Sequence, residues 1–407
     1  MDRIANIQAF EILGARGKPT IEVELTTEKG CIASASVPSG TSKGRYEAFE
    51  RYDGGSRYDG YGVRKAVETI NTQLREALTG MDVAAQREID RRMCDLDQTP
   101  DKHNLGGNAI LAVSVAACKA GALSVGLPLY RYIGGLEARK LPGIVATVIS
   151  GGNYSQSGLC FEDYMYLVDC NKHPFSECLE TLVALRFALA KRLSQKFGAF
   201  PEDGGALAPP LASNEAALDI MMEVIFQMGC QDYVTLGLDV AADEFYDETA
   251  RCYRLGERMV SSQELLRYYQ QLAAWYPLTY LEDGFQQDDF ESFAKLKQCL
   301  PQIQVVGDDL FATNTERLEK GIALDCANTL LLKINQAGSL SDALDAARAA
   351  KRGGYGITVS LRSGETTDPF IADLAVGLGA QQIKLGSPVR GERNVKYNRL
   401  LRIEQEL

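Results

Sequence analysis

The sequence predicts an α/β protein in two parts, an α+β unit over residues 1–135 followed by a (β/α) barrel over residues 136–407. Three patterns predict it. Apolar and polar residues alternate through residues 4–37, two stretches with helical spacing follow, and from about Leu141 short apolar segments alternate with helix-length amphipathic ones. At about 150 residues per domain, 407 residues suit two or three domains with large cores.

The segments IQAFEIL, TIEVELTT and CIASASV alternate around turn signals at residues 14–19, as paired half-buried strands do. An antiparallel meander therefore opens the chain. Residues 61–97 and 107–134 carry helical spacing: Val63, Ala66, Val67, Ile70 and Leu74 share one face, and an alanine-rich segment from Ala109 stops near Gly126-Leu127-Pro128. Strands followed by helices make an α+β cap. The later apolar segments end in VTLGLDVAA at Asp239, LTYLEDGF at Glu282, IQVVGDDLF at Asp308, NTLLLKINQ at Lys333, GITVSLRSGE at Arg362 and QQIKLGSP at Lys384. Their spacings, by subtraction, are 43, 26, 25, 29 and 22 residues, and all but the first match one βα unit. Closure into a barrel would bring these side chains to its C-terminal rim. An open doubly wound sheet is the alternative.

Composition excludes several classes. A net charge of −11 without a lysine-arginine block leaves little for counterion release, so nucleic acid is not an expected partner. The longest nearly apolar run, residues 109–118, is half of what a bilayer needs, and MDRIANIQAF has no basic segment leading into an apolar core. No membrane partner is expected, and the location expected is cytoplasmic. Ten cysteines lie singly without CxxC spacing, as reduced thiols do, while two histidines, His103 and His173, offer little to zinc or to Ser-His-Asp chemistry. Neither GxGxxG nor GxxxxGK[ST] occurs.

Asp239, Glu282 and Asp308 stand at consecutive strand ends. At an effective dielectric near 20, two like charges about 4 Å apart repel by roughly 4 kcal/mol, so three gathered carboxylates call for a cation. Oxygen ligands with almost no histidine favour Mg²⁺. The competing reading is that such acids cap the following helices. Lys333 and Lys384 follow apolar runs that place their stems inside the barrel, where low dielectric and nearby Mg²⁺ lower a lysine pKa and allow it to act as a base. A salt-bridged strand end is the plainer alternative. Arg362 and Ser363 suit a phosphate, a phosphonate or a carboxylate. The run Pro38-Ser39-Gly40-Thr41-Ser42-Lys43-Gly44 suits a closing lid or an ordinary turn, and the pairs Gly151-Gly152 and Gly204-Gly205 suit either access to the rim or tight turns.

The motifs PSGTSKG, NAILAVSVAACKAGA, LPLYRYIGG, LDVAADEFY, LEDGF, VGDDLFATN, LLKINQAGSL, RSGET, IKLGSP and YNRLLRIEQEL occur in order, and through them the chain resembles enolase nearly end to end. The resemblance implies an N-terminal α+β cap domain followed by an enolase-type modified (β/α)8 barrel, Mg²⁺ as cofactor, and a homodimer or higher even oligomer. By motif it implies Asp239, Glu282 and Asp308 as metal ligands and Ser42 of the lid as the contact to a second Mg²⁺. It further implies Lys333 as the base taking the proton alpha to the carboxylate, Lys384 as the contact to that carboxylate, and Arg362 with Ser363 as the phosphate holders.

Four positions depart from the family's motifs. GDEGG is replaced around Glu202-Asp203-Gly204-Gly205, so the glutamate that helps hydroxide leave becomes Asp203, and QEF becomes Glu162-Asp163-Tyr164, making the second acid Asp163. The histidine of GGxHA becomes Tyr154, and that of SHRSGET becomes Leu361. A lost methylene withdraws a carboxylate by roughly 1 Å, and a misplacement of that size can cost about 10²-fold in rate. With the metal and lysine positions retained, the expectation is a specialised paralogue that forms a metal-stabilised enolate on a phosphorylated or phosphonylated three-carbon acid, similar to carboxyphosphonoenolpyruvate synthase of phosphonate natural-product pathways. The alternatives are ordinary enolase, converting 2-phosphoglycerate to phosphoenolpyruvate, and a non-catalytic enolase-fold binding protein.

Overall fold

Alternation does build the opening sheet. In the computed structural model, which describes residues 1–40, 44–155 and 157–407, strands Ile4–Leu13, Pro19–Thr27 and Ile32–Ser36 form an antiparallel sheet in sequence order. Ile21, Val23 and Leu25 turn to one face and are buried there. That face is covered by helix Gly107–Ser124, which contacts the second and third strands. The helix is long and apolar enough to cross a membrane, yet it is core, with 83% of it buried inside the fold. The first helical stretch is split: residues 64–78 are helical with one π turn at Ile70–Leu74, and a break at Gly80 precedes helix Gln86–Asp97. Val63, Ala66, Ile70 and Leu74 are buried as the spacing predicts, and Val67 packs at the edge of the core.

Among the described residues, eight strands close the barrel: Gly143–Ser150, Asp163–Val168, Val234–Asp239, Leu278–Glu282, Gln304–Gly307, Thr329–Leu332, Gly356–Ser360 and Gln382–Lys384. The last pairs with the first, which excludes the open sheet. Seven strands run parallel. Asp163–Val168 runs antiparallel to both neighbours, so its first residue, not its last, reaches the rim, and Asp163 pairs with Asp239 on one side and Ser150 on the other. The anomalous spacing of 43 residues after Asp239 has a cause too: a small antiparallel sheet of Tyr246–Asp247, Cys252–Leu255 and Arg258–Val260 is inserted before helix Ser262–Trp275. Val145, Met165, Leu167, Tyr280, Val306 and Leu331 form a separate apolar cluster of barrel-strand residues, a packed interior rather than a pore.

Helix Leu129–Gly134 of the cap region packs against helix Phe370–Leu378 of the barrel, where Gly134 faces Gly377. A Cβ at Gly134 would collide with the carbonyl oxygen of Gly377. Gly134→Ala is therefore expected to cost about 1–3 kcal/mol, the usual toll of overpacking. Urea denaturation measures it, and an unchanged midpoint would show that the two helices separate freely.

Candidate active site

The strand ends deliver their side chains to one polar cavity of about 100 Å³, lined by Asp163, Asp203, Asp239, Lys333, Leu361, Arg362, Ser363 and Lys384 among others. They come from several different connections. Asp239 and Lys384 are the last residues of their strands, Lys333 directly follows Thr329–Leu332, and Arg362 and Ser363 follow Gly356–Ser360. Asp203 sits on a two-residue hairpin in which Glu202 pairs with Leu207 and Asp203 with Ala206. Gly204 and Gly205 form its tip with φ of 54° and 92°, the doubly left-handed turn that glycine allows. That glycine pair is thus both a tight turn and, through Gly204, part of the cavity wall.

Glu282 and Asp308 lie just beneath, joined to the cavity by lysines. The Lys384 ammonium donates to Asp239 at 2.7 Å and to both Glu282 oxygens at 2.9 Å, and stands 3.6 Å from Asp163. Lys333 is ion-paired with Asp308, whose other oxygen accepts from Gln336 at 2.7 Å. The three predicted ligands therefore do not meet at one point: Lys384 bridges two and Lys333 holds the third. The tighter triad among the described residues is Asp283, Asp308 and Asp309, with ligand atoms within 4.8 Å. Asp283, however, accepts the backbone N–H groups of Asp308 (3.0 Å) and Asp309 (2.7 Å), which shapes the loop and occupies both its oxygens.

Electrostatics follow from this pairing. Burial alone would lower Lys333, but Asp308 and Glu282 outweigh it and hold its pKa above the usual lysine value. Lys384 is raised further, burial being overcome by Asp239, Glu282 and Asp163. Each ammonium faces buried carboxylates that outweigh its burial, whereas the sequence expectation of depressed lysine pKa values counts Mg²⁺ beside them. Burial and the charge of Asp239 push Glu282 well up, since one ammonium serves two acids. Asp308 is held low: burial would raise it, but Lys333 and Arg362 prevail. Burial also raises Asp163, against the pull of Lys384.

The donor set fits a hard divalent cation. Asp239, Glu282 and Asp308 offer only oxygen, all three are buried, and the raised Glu282 records a surplus of negative charge that such an ion relieves. Mg²⁺ suits oxygen donors of this kind.

Several partners escaped the sequence reading. Arg362 forms a buried ion pair with Glu47 of the cap at 2.8 Å, Thr147 donates to Asp163 at 2.8 Å, and Arg16 donates to Asp203 at 2.9 Å. Tyr280 donates to Glu282 at 2.8 Å, and two-residue strand periodicity alone could have found it. Glu162 lines the cavity, with burial and then Asp239 pushing its pKa well up. Ser39 is stitched to the Arg362 loop by paired backbone hydrogen bonds with Gly364 (3.0 and 3.1 Å). Ser42 lies outside the described residues, as does the side chain of Tyr154, whose backbone closes a short helical turn Gly152–Tyr154. Leu361 borders the cavity and donates its N–H to the Lys384 carbonyl at 3.1 Å.

Comparison with known proteins agrees with this architecture. Residues 4–133 match the enolase N-terminal domain family and residues 138–407 the enolase C-terminal TIM barrel domain family. The chain is 46% identical over 413 residues to an enolase of Methanopyrus kandleri, covering all of this chain and 96% of that protein. It is 46% identical over 410 residues to an enolase of Pyrococcus furiosus, and 45% over 407 to one of Methanocaldococcus jannaschii, in both cases covering 99% of this chain and 95% of the relative. These relatives lend no support to the expected phosphonate-pathway specialist, and they favour the ordinary enolase reading that stood as its alternative. They also set aside a purely non-catalytic binding role. The chain belongs to the enolase family of Mg²⁺-dependent hydro-lyases.

Proposed function

We propose that this enzyme interconverts 2-phosphoglycerate with phosphoenolpyruvate and water. The observation that carries the reading is one cavity that joins buried carboxylates, two lysines and the Arg362-Ser363 pair, in a chain matched over its full length by enolases. Asp239, Glu282 and Asp308 would hold Mg²⁺, which when bound supplies positive charge beside the substrate carboxylate. Lys333, as a free amine, takes the proton alpha to that carboxylate, while Lys384 contacts the carboxylate itself and Arg362 with Ser363 holds the phosphate. The carbon–oxygen bond then breaks, and the departing hydroxide takes a proton from Asp203, with Asp163 as the second acid. Leu361 borders the substrate, and the family resemblance assigns Tyr154 to the substrate loop and Ser42 to a second Mg²⁺. The ten free thiols are in keeping with a reducing cytoplasmic compartment, the family resemblance favours an even oligomer, and residue 135 serves as the boundary between cap and barrel.

The test is direct. Purified protein supplied with 2-phosphoglycerate and Mg²⁺ should form phosphoenolpyruvate, and a chelator should stop it. Protein that binds 2-phosphoglycerate with Mg²⁺ but releases it unchanged would refute the reading.

A further inference from the structure

Helix Phe175–Phe197 packs Leu182, Leu185, Leu189 and Leu193 into the core, and Arg186 is buried among them at 6% exposure. A guanidinium placed among leucines costs heavily in lost hydration, so it stays there only where partners hold it. Its partners belong to two loops of the active-site rim. Nη2 donates to the Glu202 carboxylate at 2.7 Å and to the Gly205 carbonyl at 3.2 Å, and Nε donates to the Ser387 hydroxyl at 3.3 Å. Glu202 and Gly205 stand on either side of Asp203 in its hairpin, and Ser387 belongs to the loop that follows Lys384. Asp203, Gly204, Lys384 and Ser387 all line the main cavity.

The hairpin has little else to fix it. Each of its strands is two residues long, and among the described residues one strand pairing, Leu207 with Ile149, ties it to the barrel. Hairpins of this size are marginal on their own. Arg16 meets Asp203 itself, but there both side chains reach solvent. We propose that Arg186 is a positioning residue: by bracing the Asp203 hairpin against the loop that follows Lys384, it sets the acid at its distance from the bound substrate. This rests on the proposed function for the role of Asp203. Arginine suits the task because its planar fork serves three acceptors in fixed directions, which a compact lysine ammonium does not.

Two steps of the reaction separate the brace from a general effect on the fold. Exchange of the alpha proton of 2-phosphoglycerate with deuterated solvent calls on Lys333, whereas formation of phosphoenolpyruvate also needs Asp203. Arg186→Gln should lower kcat for phosphoenolpyruvate formation by about 10²-fold, the cost of a misplacement near 1 Å, while alpha-proton exchange holds near the wild-type rate and KM changes little. Arg186→Lys, which keeps a charge beside Glu202, should recover part of the loss. A general weakening of the fold would lower both rates together, so a parallel fall, like an unchanged kcat, would overturn the assignment. Should Arg186→Gln not fold, Glu202→Gln, at the half-exposed end of the pair, decides in its place: the ratio of exchange to product formation should rise, and an unaltered ratio overturns the proposal. The brace is also read without substrate. The Ala208 N–H, bonded to the Pro201 carbonyl at 3.0 Å across the foot of the hairpin, should exchange with solvent faster in Arg186→Gln, and an unchanged rate overturns the proposal. A wild-type protein inactive on 2-phosphoglycerate would refute the proposed reaction, while the Ala208 exchange would still decide for or against the brace.

Discussion

Lys333→Ala is expected to lower turnover of 2-phosphoglycerate by about 10²–10⁴-fold, the usual contribution of a positioned acid or base, while leaving Mg²⁺ binding intact. Two facts separate the two effects. Lys333 reaches the cavity from the end of its own strand and touches the Asp308 carboxylate, while Asp239 and Glu282 are held by Lys384. Removing the ammonium leaves Asp308 its hydrogen bond from Gln336 and takes away a competing cation, so affinity for a divalent ion should hold or rise. Exchange of the substrate's alpha proton with deuterated solvent, followed by NMR, isolates the step assigned to Lys333. Exchange that continues at the wild-type rate in Lys333→Ala would remove Lys333 as the base.

Lys384→Met should produce the largest change in stability. The wild-type ammonium satisfies Asp239 and both Glu282 oxygens at 2.7–2.9 Å, in a place where all three groups are buried. Taking one partner out of a buried pair typically costs about 3–5 kcal/mol, because the remaining charge has neither water nor counter-ion. Urea denaturation in a chelator measures that loss, and added Mg²⁺ should restore part of it by binding only the folded state. The deficit also carries a pH signature. Glu282 is raised in the folded state, so folding favours its protonated form: that contribution is full below the ordinary glutamate pKa and is lost as pH rises through the folded value. Without Lys384 the loss should be deeper at higher pH. An unaltered urea midpoint at every pH would mean that Lys384 does not hold these acids in place.

The rim residues were legible in the sequence because each parallel strand ends in a sharp change from apolar to polar, and that change marks both the strand's direction and its reach. Asp163 shows the limit of this reading. Alternation in DYMYLV looks the same for a strand running up or down, so nothing local told that this strand is reversed and that its first residue meets Asp239. Resemblance to a family supplied Asp163 where periodicity could not. The insertion after Asp239 likewise broke the regular spacing without announcing its own small sheet. Arg16, Glu47 and Arg393 were missed for another reason. They lie in a turn, a loop and a helix start, and what each faces depends on how cap and barrel dock or how the last helix returns to the rim. Sequence gives the presence of acids but not how many oxygens surround each ammonium, so the pairing of Lys384 with both Asp239 and Glu282 was out of its reach.

The pairing of Glu47 with Arg362 has a consequence for the history of such chains. The acid comes from one half and the base from the other, and their contact is sealed from solvent, the side chains being only 6% and 4% exposed. A hybrid made by swapping either half for that of a distant cousin would inherit a stranded charge unless both members travelled together. Selection therefore acts on the two halves as a single heritable piece, and recombination between them should be tolerated only where this couple is preserved.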